Sequence, residues 1–196
     1  MKFSLLVLLV FLAFSANAGN YKYSVGASAQ AVKYCWYGAS EACFNYKLGV
    51  IRFELEHKSG VAFRFGKAIN KPSDIQTTLT NQVFKINFSK YEEYEIIYKY
   101  NYNASITVYG GVGHYKHSLP IYSVNDTLVH YDEDNDTGFV FGILYNLSDR
   151  VSIDFMIKQT SAIGDAGGSC DQNCINNWTS KGSTIRQIGL GLMIRF

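Results

Sequence analysis

Residues able to do chemistry gather in two places in this 196-residue chain. The segment GHYKHSLP brings His114, His117 and Ser118 together, and Glu92, Glu93 and Asp126 are acids that can orient an imidazole. A serine, a histidine base and a carboxylate are the parts of a nucleophilic hydrolase. His117 and Ser118 are adjacent, however, and neighbouring side chains of a strand point to opposite faces. A polar histidine near an aromatic rim is therefore the plainer reading. The segment YDEDNDTG sets Asp132, Asp134 and Asp136 in alternation, like the first three ligands of a calcium loop. Thr137 stands where that loop needs its glycine, and no glutamate follows at the twelfth position. A solvated surface loop accounts for the cluster, with a divalent-ion bridge to an anionic partner as the alternative. No resident metal and no cofactor are expected.

The two ends of the chain say where these residues are carried. Met1 and Lys2 precede an apolar run from Phe3 to Phe14, and Ala16 and Ala18 supply the small residues of an A-x-A cleavage site. Residues 1–18 read as a removable signal peptide, since twelve apolar residues fall short of the roughly 20 a spanning helix needs. Residues 19–196 then form one domain, with no Pro- or Ser-rich linker to divide it. Loss of Lys2 lowers the formal charge of +2 by one, so no basic domain exists and nucleic acid is not an expected partner. In an exported chain the four cysteines read as disulfides. Cys35 with Cys43 and Cys170 with Cys174 is the simplest of three connectivities, because short closures cost the least entropy.

The elements that must position these residues are strands. With 15 Tyr, 13 Phe, 17 Gly and only two Pro, the composition favours extended structure. Eight segments alternate apolar and polar side chains: residues 21–30, 46–56, 61–67, 91–100, 104–116, 137–146, 151–160 and 184–196. The links after the second, fourth and sixth are tight (HKSG, NYN and NLSDR). Those after the first, third, fifth and seventh are long: residues 31–45, 68–90, 117–136 and 161–183. Within the second of them, QVFKINF either extends a hairpin above the membrane or forms its own short strand. Short turns on one side and long loops on the other are the topology of an outer-membrane barrel. The last segment ends on Phe196, an aromatic residue suited to a membrane interface. The fold expected is all-β: an eight-stranded antiparallel transmembrane up-and-down β-barrel, closed because lipid leaves no partner for a free strand edge.

Parity sorts the side chains. Lys22, Arg52, Arg64, Lys99, Lys158 and Arg195 fall on the inward face with Glu54, Glu56, Glu93, Glu95 and Asp154. Eight strands leave room for side chains and none for a wide aqueous channel. A near-balanced set of ions there should pair into a plug, because a lone buried charge is costly. An ion pathway is the functional alternative. Tyr21, Tyr23, Tyr98, Tyr100, Tyr145 and Phe196 are expected to girdle the periplasmic rim, and Trp36, Tyr37, Tyr46, Tyr91 and Tyr115 the outer one.

The eight-strand frame, the opening YKYSVGASA, the turn YNLSDRVSIDF and the ending IGLGLMIRF resemble the outer-membrane β-barrel family that includes the OmpA transmembrane domain and the OmpX and Ail proteins. The resemblance spans the whole chain after the signal peptide. It implies residence in the bacterial outer membrane among outer-membrane lipid and lipopolysaccharide, and delivery by periplasmic chaperones to the barrel-assembly machinery, with Phe196 as assembly signal. It implies architecture better than task. Some small outer-membrane barrels edit lipid A, and the deacylases among them space a His and a Ser by one residue; here His117 and Ser118 are adjacent. The reading that follows is a monomeric, non-enzymatic barrel, a structural scaffold or adhesin-like protein whose four long loops carry any surface ligand. A lipid A-modifying enzyme and a small porin-like channel are the alternatives. Deleting Phe196 is expected to lower the amount of inserted barrel, read as loss of the compact, heat-modifiable band in unboiled gel samples; unchanged insertion would remove the role given to this residue.

Overall fold

Two residues per repeat puts every second side chain on one face of a strand, and the ladders keep this parity around the ring, with a register shift at Ile121/Tyr122 in the upper part of one of them. The computed structural model describes residues 18–37, 41–72, 75–79, 82–87, 89–123, 125, 128–162 and 183–196. Ten strands are present among them: β1 (Tyr21–Tyr37), β2 (Glu41–His57), β3 (Val61–Ala68), β4 (Ile75–Leu79), β5 (Gln82–Ile86), β6 (Lys90–Asn101), β7 (Ile106–Ser123), β8 (Leu128–Asn146), β9 (Val151–Ala162) and β10 (Ser183–Arg195). Eight close a ring in the order β1-β2-β3-β6-β7-β8-β9-β10, every neighbour antiparallel. The final ladder joins β10 to β1 from Ser24↔Arg195 to Trp36↔Ser183. The Phe196 amide adds one more bond, donating to the Tyr23 carbonyl at 2.8 Å.

The remaining two strands are the interrupted top of one hairpin. β5 continues β6 along the edge of β7 through Phe84↔Ser123 and Ile86↔Ile121, and β4 returns beside it against β2. Of QVFKINF, residues 82–86 thus form a short strand of their own, and its pairing with β7 extends the hairpin above the ring. Where β3 leaves β2, the Asn70 side chain imitates a strand backbone. Its Oδ1 accepts from the Gly49 amide at 2.6 Å and its Nδ2 donates to the Lys47 carbonyl at 3.1 Å.

Three of the four connections expected as loops are largely strand. β1 and β2 run on through most of residues 31–45, and β7 and β8 through most of 117–136. The cause is inward packing that alternation over short windows does not reveal. Val32, Tyr34, Phe44, Tyr46 and Leu48 are buried on the inner face, and a Cys35–Cys43 disulfide joins the two strands directly opposite each other. The acidic run YDEDNDTG is likewise wall and not a solvated loop. It pairs with β7 from Leu119↔Asp132 to His114↔Thr137, and Asp136 is buried. An extended strand cannot curl its alternate residues around one ion. The side chains of Asp132 and Asp134 lie outside the described set, as do residues 1–17, Asp126, Cys170 and Cys174.

The tight turns follow from their residues. Asn103 Oδ1 accepts from the amides of Ser105 and Ile106 at 2.9 and 2.8 Å, and Ser148 Oγ from that of Val151 at 3.1 Å, so side chains satisfy backbone groups at the rim. Between β2 and β3, Gly60 has φ +89° and donates to the His57 carbonyl at 2.9 Å. A Cβ there would stand 2.6 Å from the Lys99 carbonyl oxygen. Gly60→Ala is therefore expected to lower stability by about 1–2 kcal/mol, seen as a lower urea midpoint for loss of the compact gel species.

Candidate functional site: a sealed ionic lumen

Inside and outside are inverted relative to a water-soluble protein. Phe139, Leu190 and Ile96 are 60%, 58% and 58% exposed on the outer face, while Arg52, Arg64 and Glu93 are 1% or less exposed inside. Ions placed there need partners, because the cost of removing a charge from water is several kcal/mol.

Four inward cations, Arg52, Arg64, Lys99 and Lys158, each lie between at least two carboxylates. Arg52 on β2 reaches across β3 to pair with Glu93 of β6, and its Nη1 stands 3.5 Å from Asp154 Oδ2. Arg64 donates through Nη2 to Glu54 Oε2 at 2.9 Å, with Glu95 and Asp154 both at 3.5 Å from its Nη1. Lys158 bridges Glu93 and Glu95. Lys99 bridges Glu54 and Glu56, the latter at 2.9 Å. The network thus holds four cations against five carboxylates. Lys22 and Arg195 face inward at the rim, but among the described residues neither enters an ion pair. The six-to-five balance expected from parity is corrected to four-to-five: Glu56, which stands opposite Lys22 in the ladder, is already paired with Lys99.

Tyrosine hydroxyls complete the anion side. Tyr91 donates to Glu93 Oε2 at 2.9 Å, Tyr109 to Asp154 Oδ1 at 2.6 Å and Tyr115 to Glu95 Oε1 at 3.2 Å. Tyr109 also accepts from Arg64 Nη1 at 3.1 Å, so one hydroxyl relays between cation and anion. The Arg64 guanidinium lies 4.7 Å from the centre of that ring, and Lys158 Nζ 5.3 Å from that of Tyr115. Tyr46, Tyr91 and Tyr115 are buried in the lumen and do not form an outer girdle; the side chains of Trp36 and Tyr37 are outside the described set.

Small residues make room for these groups. A Cβ on Gly66 would meet Glu93 Oε1 at about 2.4 Å, and one on Gly142 would strike the Tyr109 hydroxyl end. Large lumen side chains therefore lie across glycines of the neighbouring strand. Above the ions, toward the long hairpins, Tyr34, Phe44, Tyr46, Leu48, Ile86 and Tyr115 pack into an apolar lid. A second cluster, including Ala62, Ile97, Val140, Leu144, Met156 and Met193, draws on six strands of the ring and packs among the ions.

The residues weighed for hydrolysis are not brought together. His117 is buried in the lumen, its ring edge-on to Tyr34 at 5.4 Å and its Nε2 3.8 Å from Asp136 Oδ2. Ser118 lies on the other face, where its carbonyl accepts from the amide and hydroxyl of Ser89. His114 also faces out. Glu92 faces out, 3.5 Å from both Lys67 and Lys90, and Glu93 belongs to the ion network. Among the described residues no cluster of three metal-ligating side chains is present.

This closed, inverted ring of eight antiparallel strands defines the outer-membrane β-barrel class. No family model and no curated protein matches the sequence. Solved structures match the fold. Ail, the attachment invasion locus protein of Yersinia pestis, in complex with the heparin analogue sucrose octasulfate, aligns at TM-score 0.56 and 13% identity over 90% of this chain and 99% of its own. Neisserial surface protein A aligns at 0.56 and 13% over 89% and 97%, and OprG of Pseudomonas aeruginosa at 0.53 and 10% over 90% and 96%.

Removing one cation tests the network. Arg64→Met leaves Glu54, Glu95 and Asp154 short of a partner, and we expect a loss of about 3–5 kcal/mol in urea-unfolding free energy. A loss below about 1 kcal/mol would mean that water, not Arg64, satisfies those carboxylates.

Proposed function

We propose that this chain is an integral protein of the bacterial outer membrane that works as a scaffold for surface binding. The barrel anchors it, and the hairpins rising above the ring carry the recognition surface. One observation supports this reading above the others: the bore is filled. Among the described residues, paired ions occupy its middle and aromatic side chains its upper end, which argues against a wide water path or a substrate cleft along the bore. Function then falls to the surfaces outside the bore. The β1–β2 hairpin is tied by its disulfide, and the β3–β6 connection is stiffened by β4 and β5. Stiffened tips lose less entropy on binding, which suits them to contact a partner. Ail, which shares the fold, is the attachment invasion locus protein and was solved in complex with the heparin analogue sucrose octasulfate. An adhesin-like role carried by the loops agrees with this, as does a monomer embedded in lipid and lipopolysaccharide.

Cells carrying the wild-type protein should adhere to extracellular-matrix or sulfated-glycan surfaces better than cells lacking it. Replacing residues 163–182 by a short turn should reduce that adhesion severalfold while the heat-modifiable barrel persists in the outer-membrane fraction. Equal adhesion by wild-type, loop-replaced and null cells would reject the binding role. Stepwise conductance of the purified barrel in a planar bilayer would favour a channel instead.

A further inference from the structure

The outer wall above the apolar belt is unevenly charged. On one side Glu92 sits between Lys67 and Lys90 and offsets them. On the other, Lys33 of β1 stands directly opposite Arg186 of β10, and Lys47 of β2 is on the diagonal from Lys33. All three side chains are exposed on the outer face. Among the residues of β10, β1 and β2 whose side chains are described, no carboxylate faces outward near them; their neighbours are Asn45, Gln159, Ala31 and Ile188. Like charges directly opposite on adjacent strands repel. An anion relieves such an arrangement, and among the described side chains none stands beside it.

The depth of these cations says which anion is available. Arg186 and Phe196 are ten residue steps apart on one strand. At about 3.4 Å per step and a tilt of about 40°, that spans about 26 Å, close to the apolar band of an outer-membrane barrel of about 25 Å. With Phe196 at one interface, Arg186, Lys33 and Lys47 lie at the headgroups of the other.

A second feature lies directly below them. Ala27, Ala29 and Ala31 face outward in succession on β1, opposite Leu192, Leu190 and Ile188 of β10 and opposite Ile51, Gly49 and Lys47 of β2. Three methyl groups beside a row of large aliphatic side chains form a shallow furrow running down from the cations toward the bilayer centre. Its apolar lining suits an acyl chain.

We propose that Lys33, Lys47 and Arg186 bind a phosphate of lipid A, the phosphorylated and acylated anchor of lipopolysaccharide, with one acyl chain lying in the furrow over Ala27, Ala29 and Ala31. The proposal rests on the outer-membrane placement given above, with the long hairpins outward. It deepens that placement by naming a lipid and a side of the barrel. The chemistry is charge-assisted hydrogen bonding from two ammonium groups and a guanidinium to phosphate oxygens, strengthened by the low dielectric beside the hydrocarbon.

The test uses the mature chain folded in detergent, with purified lipid A, dephosphorylated lipid A and phosphatidylglycerol as separate probes. Wild-type protein should hold lipid A at least tenfold more tightly than either of the other two. The triple variant Lys33→Gln, Lys47→Gln, Arg186→Gln should lose that preference while keeping its heat-modifiable mobility. Ala29→Leu, which fills the furrow without touching charge, should weaken lipid A binding severalfold, whereas Lys58→Gln at the opposite rim should leave it unchanged. Equal binding of lipid A by wild-type and triple variant would overturn the site, as would equal binding of phosphatidylglycerol or a loss as large in Lys58→Gln. Should the triple variant fail to fold, Ala29→Leu and Arg186→Gln decide the question by the same criteria. Absence of the protein from the outer-membrane fraction would instead reject the placement, a separate outcome from loss of lipid preference in a correctly inserted barrel.

Discussion

Hydrocarbon offers no hydrogen-bond partner, so each unpaired backbone N–H or C=O of a lipid-facing strand costs several kcal/mol. The ladder between the first and last strands meets that constraint, and the rest of the architecture depends on it. Thirteen register pairs join β1 to β10, and the amide of the terminal residue adds a bond beyond them. Without this ladder two edges would face lipid, and the inner face would have no inside. Closure also sets the bore: eight strands enclose a space that side chains can fill.

That space explains the otherwise unfavourable burial of eight of the network's nine ionisable groups, Glu56 alone being partly exposed. Arg52, Arg64, Lys99 and Lys158 have no bulk water to solvate them, and their attraction to five carboxylates offsets the loss. Three tyrosine hydroxyls donate to the same carboxylates, so the single excess negative charge is stabilised by dipoles. The ion-paired bore and the apolar outer wall are thus one structural fact seen from two sides. The interior spends most of its charge on itself, in ion pairs that cross from strand to strand, whereas the charged side chains of the outer wall face away from the network.

Parity made much of this readable in advance. The alternation in TIRQIGLGLMIRF puts Leu190 and Ile194 out and Gln187 and Arg195 in, and the same rule applied to β2, β3, β6 and β9 selects every member of the ion network. The tight turns were readable too, since Asn103 and Ser148 carry their hydrogen-bond chemistry locally. The upper wall was not. Tyr34, Phe44 and Tyr46 lie among polar and cysteine residues whose alternation is weak, and their burial depends on Ile86, Tyr91 and Tyr115 arriving from strands far away in the chain.

The sequence by itself determined which face each side chain takes and that the strands must close, because a period of two and the absence of water in lipid admit no other arrangement. The tertiary structure decided who meets whom. Nothing local tells Arg52 that its partner is Glu93 on a strand two places around the ring, or that Gly66 must lack a side chain so that Glu93 can lie across it. Those pairings come from register and curvature, which are properties of the closed cylinder and of no single segment.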